Sequence, residues 1–175
     1  LATLDPGLEA ATIAGFAAGT YWFLMLIGRF LSSLIAAKVS SRTMMIVVNG
    51  VAMLLIIVAI LMPKTVTGSM PVFTGSSFAV VKLPLSAILI VLCGLCTSVM
   101  WSCTFNLATE GLGKYTAIAS GIFMTMVFGC AVMVAIQGYV ADVTNYMTSY
   151  WVVVFCAAYL LFYALVGSRV TKRSE

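Results

Sequence analysis

Five long apolar stretches separated by short polar turns set the pattern of the chain. They run over about 10–37, 44–62, 85–108, 115–140 and 150–166. A membrane-spanning helix needs about 20 mostly apolar residues. Backbone groups surrounded by hydrocarbon must bond within their own segment, so each stretch predicts a helix rather than an open strand. Pro63 closes the second stretch and Pro84 precedes the third. The turn Lys38-Val39-Ser40-Ser41-Arg42 is tight and basic, Glu110-Gly111-Leu112-Gly113-Lys114 carries glycines able to end a helix, and 142–149 is short and polar. The outlier is 63–84, rich in Thr, Ser, Gly and Pro, which predicts an outer loop with at most a brief extended segment at Phe78 to Val81. The expected fold class is all-α, a polytopic transmembrane helix bundle of five spanning helices.

Composition names the solvent. Hydrophobic residues make up 63% of the chain, charged residues 8%, and mean hydropathy is +1.16. Soluble domains carry about 25% charged residues, so this chain could not cover a water-facing surface. The lipid bilayer is the expected surroundings. The net charge of +4, from nine basic and five acidic residues, sits in short loops and reads as topology rather than nucleic-acid binding. With the first residue outside, Lys38, Arg42, Lys114, Arg169, Lys172 and Arg173 fall on the inner face, and Lys64 and Lys82 on the outer. That excess predicts a cytoplasmic C-terminus. An odd number of spans starting outside implies at least one further span upstream. Position 1 is Leu, and Asp5-Pro6-Gly7 is turn chemistry leading into a helix. The chain therefore reads as a piece of a longer protein, with a mature product of signal cleavage as the alternative.

Several chemistries find no residues to carry them. There is no His, and the five cysteines (Cys93, Cys96, Cys103, Cys130, Cys156) all lie in apolar stretches. Cys93-x-x-Cys96 has redox or zinc spacing only; small packing residues are the expectation. No metal, no cofactor and no catalytic residue is expected, because the chain has no phosphate-binding loop and no nucleophile paired with a base. An enzyme is not the expected class. No Asp or Glu falls inside a predicted span, Glu110 being at a helix end. Ion-coupled transporters usually hold a titratable group within the membrane, so if the protein is proton-coupled the coupling residue is expected outside this chain.

The polar minority inside the spans supplies the site candidates. Arg29 lies eight positions before Ala37, about 12 Å at 1.5 Å per residue. It either snorkels to the inner surface or faces a cavity as a donor to a hydroxyl or carboxylate. Gly15-x-x-x-Gly19, Ser32, Ser33, Ala36 and Ala37 form a small-residue pattern that suits close helix packing. The third span is the most polar. Thr97, Trp101 and Thr104 share one face, and Ser98, Ser102 and Asn106 the neighbouring stripe. An aromatic face beside hydroxyls and an amide suits a sugar, whose C–H face stacks on the ring while its hydroxyls pair with donors and acceptors. The alternative is that the hydroxyls bond back to their own helix and Trp101 fills space. Gln137, near the outer end of the fourth span, could serve a solute or a neighbouring helix, and Asp142 is expected at the interface.

These residues carry a family resemblance. Gly28-Arg29-Phe30 followed by a basic turn resembles helix eight of the major facilitator superfamily, and most nearly its fucose/proton symporter family, which includes bacterial glucose/galactose transporters. Trp101-Ser102-Cys103-Thr104-Phe105-Asn106-Leu107-Ala108 and Glu110-Gly111-Leu112-Gly113-Lys114-Tyr115-Thr116 are similar to its helix ten and the following turn. Ala119-Ser120-Gly121 and Gln137-Gly138 through Asp142 continue the likeness. The resemblance implies helices eight to twelve of a twelve-helix fold, in a bacterial inner membrane, with the N-terminal helices absent from the chain. It implies sugar/proton symport by alternating access. The candidate substrate residues, read from the polar groups within the spans, are Asn106, Trp101, Thr97, Thr104, Gln137 and Arg29, with Lys38, Arg42 and Lys114 marking the cytoplasmic gate and topology. Two departures stand out. Trp101-Ser102 replaces a common aromatic-Pro pair, so the helix should bend less, and Ser33 and Ala37 occupy a Gly and an Asp position while Lys38 and Arg42 keep the charges. A transporter of another solute, including drug efflux, and a non-transporting scaffold are the competing readings.

Overall fold

The computed structural model describes residues 10–36, 38–63, 65–74 and 78–167. Ala37, Lys64, Arg169, Lys172, Arg173 and the turn at Asp5-Pro6-Gly7 lie outside the described residues. The chain forms a bundle of antiparallel and parallel rods: α1 (Ala10–Ala36), α2 (Ser41–Leu61), α3 (Leu85–Thr109), α4 (Thr116–Met126), α5 (Phe128–Val143) and α6 (Tyr146–Phe162). A 3-10 turn, Gly113–Tyr115, leads into α4, and a π-helical turn, Tyr163–Gly167, ends the last rod. Among the described residues, five spans are long and apolar enough to cross a membrane, α4 and α5 together making one.

Helix ends differ from the apolar boundaries for a local reason. The second helix starts at Ser41 rather than about 44, because Ser40 Oγ accepts the Thr43 N–H at 3.2 Å. The last starts at Tyr146 rather than about 150, because Asn145 Oδ1 accepts the Thr148 N–H at 3.1 Å. A cap satisfies an orphan donor with a polar side chain, so the helix reaches beyond its greasy part. The fourth rod also runs on to Val143. Its ladder tightens at Val127, where Val127 N–H reaches Met124 O at 3.2 Å and Cys130 N–H reaches Val127 O at 2.9 Å, both three-residue steps.

The expected outer loop at 63–84 is instead a β-hairpin. Strands β1 (Thr67–Phe73) and β2 (Phe78–Pro84) pair antiparallel, with Met70 opposite Val81 and Gly68 opposite Leu83. Met70, Val72, Val81 and Leu83 turn inward and are buried with Ile13 and Val91, whereas Ser69 and Lys82 stay exposed on the other face. This period-two alternation, diluted by Thr, Gly and Pro, is the strand signal. The hairpin folds back along α1 rather than projecting away. Phe73 N–H donates to Thr20 Oγ1 at 2.8 Å, and Phe23 stacks on Phe73 at 5.2 Å and meets Phe78 edge-on at 5.6 Å. Non-helical backbone at membrane depth is tolerated only where protein or water covers it. The hairpin covers this flank of α1.

Packing is inverted relative to a soluble protein. Helix α3 lies between α1 and α2, and α6 packs on α2 and α5. Large apolar groups point outward, Leu54 being 61% and Phe155 73% exposed. Asn49, Ser98, Ser86 and Ser149 are buried. That arrangement is stable only where the surroundings are apolar. Cys93 and Cys103 sit in buried packing clusters, and all five cysteines are free thiols.

The close approach of α1 to α3 does not use Gly15-x-x-x-Gly19. A Cβ on Gly15 would meet nothing within 4 Å, and one on Gly19 only Phe73 O at 3.5 Å. The contact is made by Gly28 and Gly94. A Cβ on Gly28 would strike Ser98 Oγ and come within 2.6 Å of Leu95 O, and one on Gly94 would lie 2.8 Å from Tyr21 O. Spacing alone identifies a small-residue pattern but not the face that is used.

Candidate functional site

Helices α1 and α3 run in the same direction, and two clefts open along their seam on either side of the Gly28–Ser98 contact. The cleft toward the C-terminal ends of α1 and α3, termed inner after the orientation expected from the sequence, has a volume of about 390 Å³. From α1 it receives Arg29, Ser32, Ser33 and Ala36, a stripe at i, i+3, i+4 and i+7. From α3 come Val99, Trp101, Ser102, Cys103 and Asn106, and Val39, Ser41 and Met44 close the end.

The polar groups here are in different states. Ser32 and Ser33 donate to Arg29 O and Phe30 O at 2.9 and 2.7 Å, so their protons are committed to their own helix while their oxygens can still accept. Asn106 Nδ2 reaches Ser41 Oγ only at 3.4 Å, a long bond that leaves most of the amide's capacity open. The Arg29 guanidinium, exposed, and the Ser102 hydroxyl, also exposed, have no hydrogen-bond partner among the described residues. Trp101 borders the cleft and meets Phe123 of α4 edge-on at 5.3 Å, and Phe105 packs on the same ring at 5.4 Å. A fork of five N–H donors, an amide that both donates and accepts, a hydroxyl and an indole therefore face one cavity.

The structure divides the remaining candidates. Thr104 donates to Met100 O at 2.7 Å and lies 3.7 Å from Met45 Sδ, so it turns toward α2 and away from both clefts. Thr97 shares a 2.8 Å hydrogen bond with the Tyr21 hydroxyl. Gln137 lines instead the cleft toward the N-terminal ends of α1 and α3, termed outer by the same expectation, a cavity of about 520 Å³ that also takes in Tyr21 and Tyr150. Sequence reasoning missed both tyrosines. Their signal was a phenol within an apolar run, where the hydroxyl wants a partner. Lys38 is exposed beside the turn, and Lys114 lies over its neighbour Tyr115 at 5.2 Å. Arg42 donates through Nε to Ala164 O at 2.8 Å and through Nη2 to Leu165 O. It ties the start of α2 to the carbonyl end of the last helix, where a cation is favoured.

A bundle of five apolar spans with a polar, aromatic-bordered cleft on its central seam defines a multi-pass membrane protein. Comparison with known proteins narrows the class. The chain is 38% identical over 76 residues to the glucose/galactose transporter of Brucella abortus, an alignment covering 43% of this chain and 18% of that protein. It is 30% identical over 159 residues to the "Putative glucose/galactose transporter" of Helicobacter pylori strain J99, covering 88% of this chain and 34% of that protein. These relatives support a sugar transporter family, of whose members the chain spans about a third or less. No family model matches the chain, and no solved structure matches it.

Proposed function

We propose that this chain forms part of a sugar transporter that works by alternating access, with the inner cleft as its contribution to the sugar site. The observation that carries the reading is the meeting of Arg29, Trp101, Ser102 and Asn106 around one cavity of about 390 Å³, in a chain similar to proteins named for glucose and galactose. Arg29 and Asn106 supply donors, Asn106 and Ser102 supply acceptors, and the Trp101 indole offers a surface to a sugar's C–H face. Polar groups facing a shared water-filled passage avoid the cost of facing lipid. The resemblance adds the finer assignment: helices eight to twelve of twelve, the C-terminus in the cytoplasm of a bacterial cell, and proton symport with coupling carboxylates in the N-terminal half. In that arrangement Lys38, Arg42 and Lys114 stand on the cytoplasmic side.

The test is uptake of D-glucose and D-galactose by the whole transporter in proteoliposomes. Asn106→Ala and Trp101→Ala should each reduce uptake, Asn106→Ala by roughly 5- to 100-fold, since an unpaired polar group costs about 1–3 kcal/mol. Thr104→Val, directed at α2, should leave uptake near wild type. Arg29→Lys and Arg29→Gln separate binding from snorkelling, because a residue that only snorkels tolerates both. Unchanged uptake in Asn106→Ala and Trp101→Ala would remove the inner cleft from the site.

A further inference from the structure

The outer cleft lies between α1, α3, α5, α6 and the base of the hairpin, and its walls are mainly Ala, Val, Leu and Ile. Three polar heads break that surface: Tyr21, Gln137 and Tyr150. Its volume of about 520 Å³ falls in the usual range for small-molecule pockets, roughly 300–1,000 Å³, which are apolar cavities with a few convergent polar groups. The half-buried Gln137 amide and Tyr150 hydroxyl have no hydrogen-bond partner among the described residues. Within a membrane bundle such groups cost free energy unless water or a ligand meets them.

Tyr21 is held in place rather than free. Its ring and backbone oxygen lie on Gly94, where a Cβ would come within 3.0 Å of the ring and 2.8 Å of the oxygen. Thr97 Oγ1 donates to Gly94 O at 3.2 Å and is 2.8 Å from the Tyr21 hydroxyl. With the threonine proton on Gly94 O, Tyr21 is the donor to Thr97. Its phenolic oxygen keeps the capacity to accept, and Tyr21 lines the cleft.

We propose that the outer cleft is a second sugar subsite, in which Tyr21, Gln137 and Tyr150 hold a hexose before it reaches the inner cleft. The inference rests on the sugar-transport reading. Gln137 presents a donor and an acceptor side by side, matching two neighbouring ring hydroxyls. Tyr21 accepts from a third hydroxyl, Tyr150 can donate or accept, and the apolar walls take the sugar's C–H face. The two clefts use successive stripes of α1, first Ala14, Ala17, Ala18 and Tyr21, then Arg29, Ser32, Ser33 and Ala36. Between them Gly28 and Ser98 are in contact. They are two stations in series, with the seam shut between them.

The test is the concentration dependence of D-glucose and D-galactose uptake from the outer side by the whole transporter in proteoliposomes. Gln137→Ala and Tyr150→Phe should raise the half-saturating concentration roughly five- to tenfold, the loss expected for one hydrogen bond, with maximal rates within about twofold of wild type. Tyr150→Phe keeps the ring and the packing, so it stays informative if Gln137→Ala lowers the yield of folded protein. Tyr21→Phe should act in the same direction. An unchanged half-saturating concentration in Gln137→Ala and Tyr150→Phe overturns the subsite, whatever the maximal rates. If Asn106→Ala still impairs uptake in that case, sugar transport itself stands. A wild-type protein that carries neither sugar overturns both readings.

Discussion

Gly28→Leu should push α1 off α3 and leave too little folded protein to purify, and Gly28→Ala should already lower the unfolding temperature in detergent. The reason is the atom that a side chain would meet. Leu95 O, 2.6 Å from a Cβ at this position, is backbone in the middle of a helix and cannot rotate away. Overpacking typically costs about 1–3 kcal/mol for small additions, and a leucine adds three further carbons along the same line. Gly94→Ala should behave similarly, since its Cβ would approach Tyr21 O and the tyrosine ring. Gly15→Ala, Gly121→Ala and Gly138→Ala are the contrasting set. A Cβ at each meets nothing within 4 Å, and alanine favours a helix over glycine by up to about 1 kcal/mol. Thermal unfolding of the five alanine variants should therefore split into losses at 28 and 94 and no loss at 15, 121 and 138. Equal behaviour of the two groups would mean that the seam does not close as described.

Asn49→Asp should be the most damaging single-atom change in the second helix. Asn49 is fully buried between α2 and α6, where Nδ2 donates to Ala157 O at 2.7 Å and Oδ1 has no partner. Replacing the donating nitrogen with oxygen sets an ionised carboxylate against a carbonyl in an apolar interior. An uncompensated buried charge costs on the order of 3–5 kcal/mol. Asn49→Ala loses one hydrogen bond but also removes the orphan oxygen, so its cost should be closer to 1 kcal/mol. Thermal stability in detergent at neutral pH distinguishes them, with Asp well below Ala and Ala slightly below wild type. A tolerated Asp would mean that water reaches this interface.

The bundle was legible because lipid imposes a coarse rule: about 20 apolar residues, then a polar turn. The rule does not see caps, and so Ser40 and Asn145 start their helices earlier than the apolar pattern suggests. It does not see the hairpin either, because only Met70, Val72, Val81 and Leu83 carry its alternation. Arg29, Trp101 and Asn106, which line the inner cleft, can be singled out in the sequence because a polar or aromatic group in a span calls for an explanation. Thr104 shares the seven-residue spacing with Thr97, but its hydroxyl bonds Met100 O and lies 3.7 Å from Met45 Sδ of α2, a neighbour that spacing along one helix does not reveal. Gln137 and Tyr150 lie on consecutive helices and Tyr21 on one far away in sequence, and no sequence spacing shows that all three line one cleft.

The central claim is that lipid surrounds the outward apolar faces while the inner cleft opens to water. Single cysteines placed in the whole protein, with every native cysteine, the five of this chain included, replaced by alanine or serine, test it directly with a membrane-impermeant thiol reagent. Cysteine at Ser102 should react, and more slowly when D-glucose or D-galactose is present; cysteine at Leu54 or Phe155 should stay unlabelled in intact membranes. Ready labelling at 54 and 155 together with silence at 102 would contradict the account.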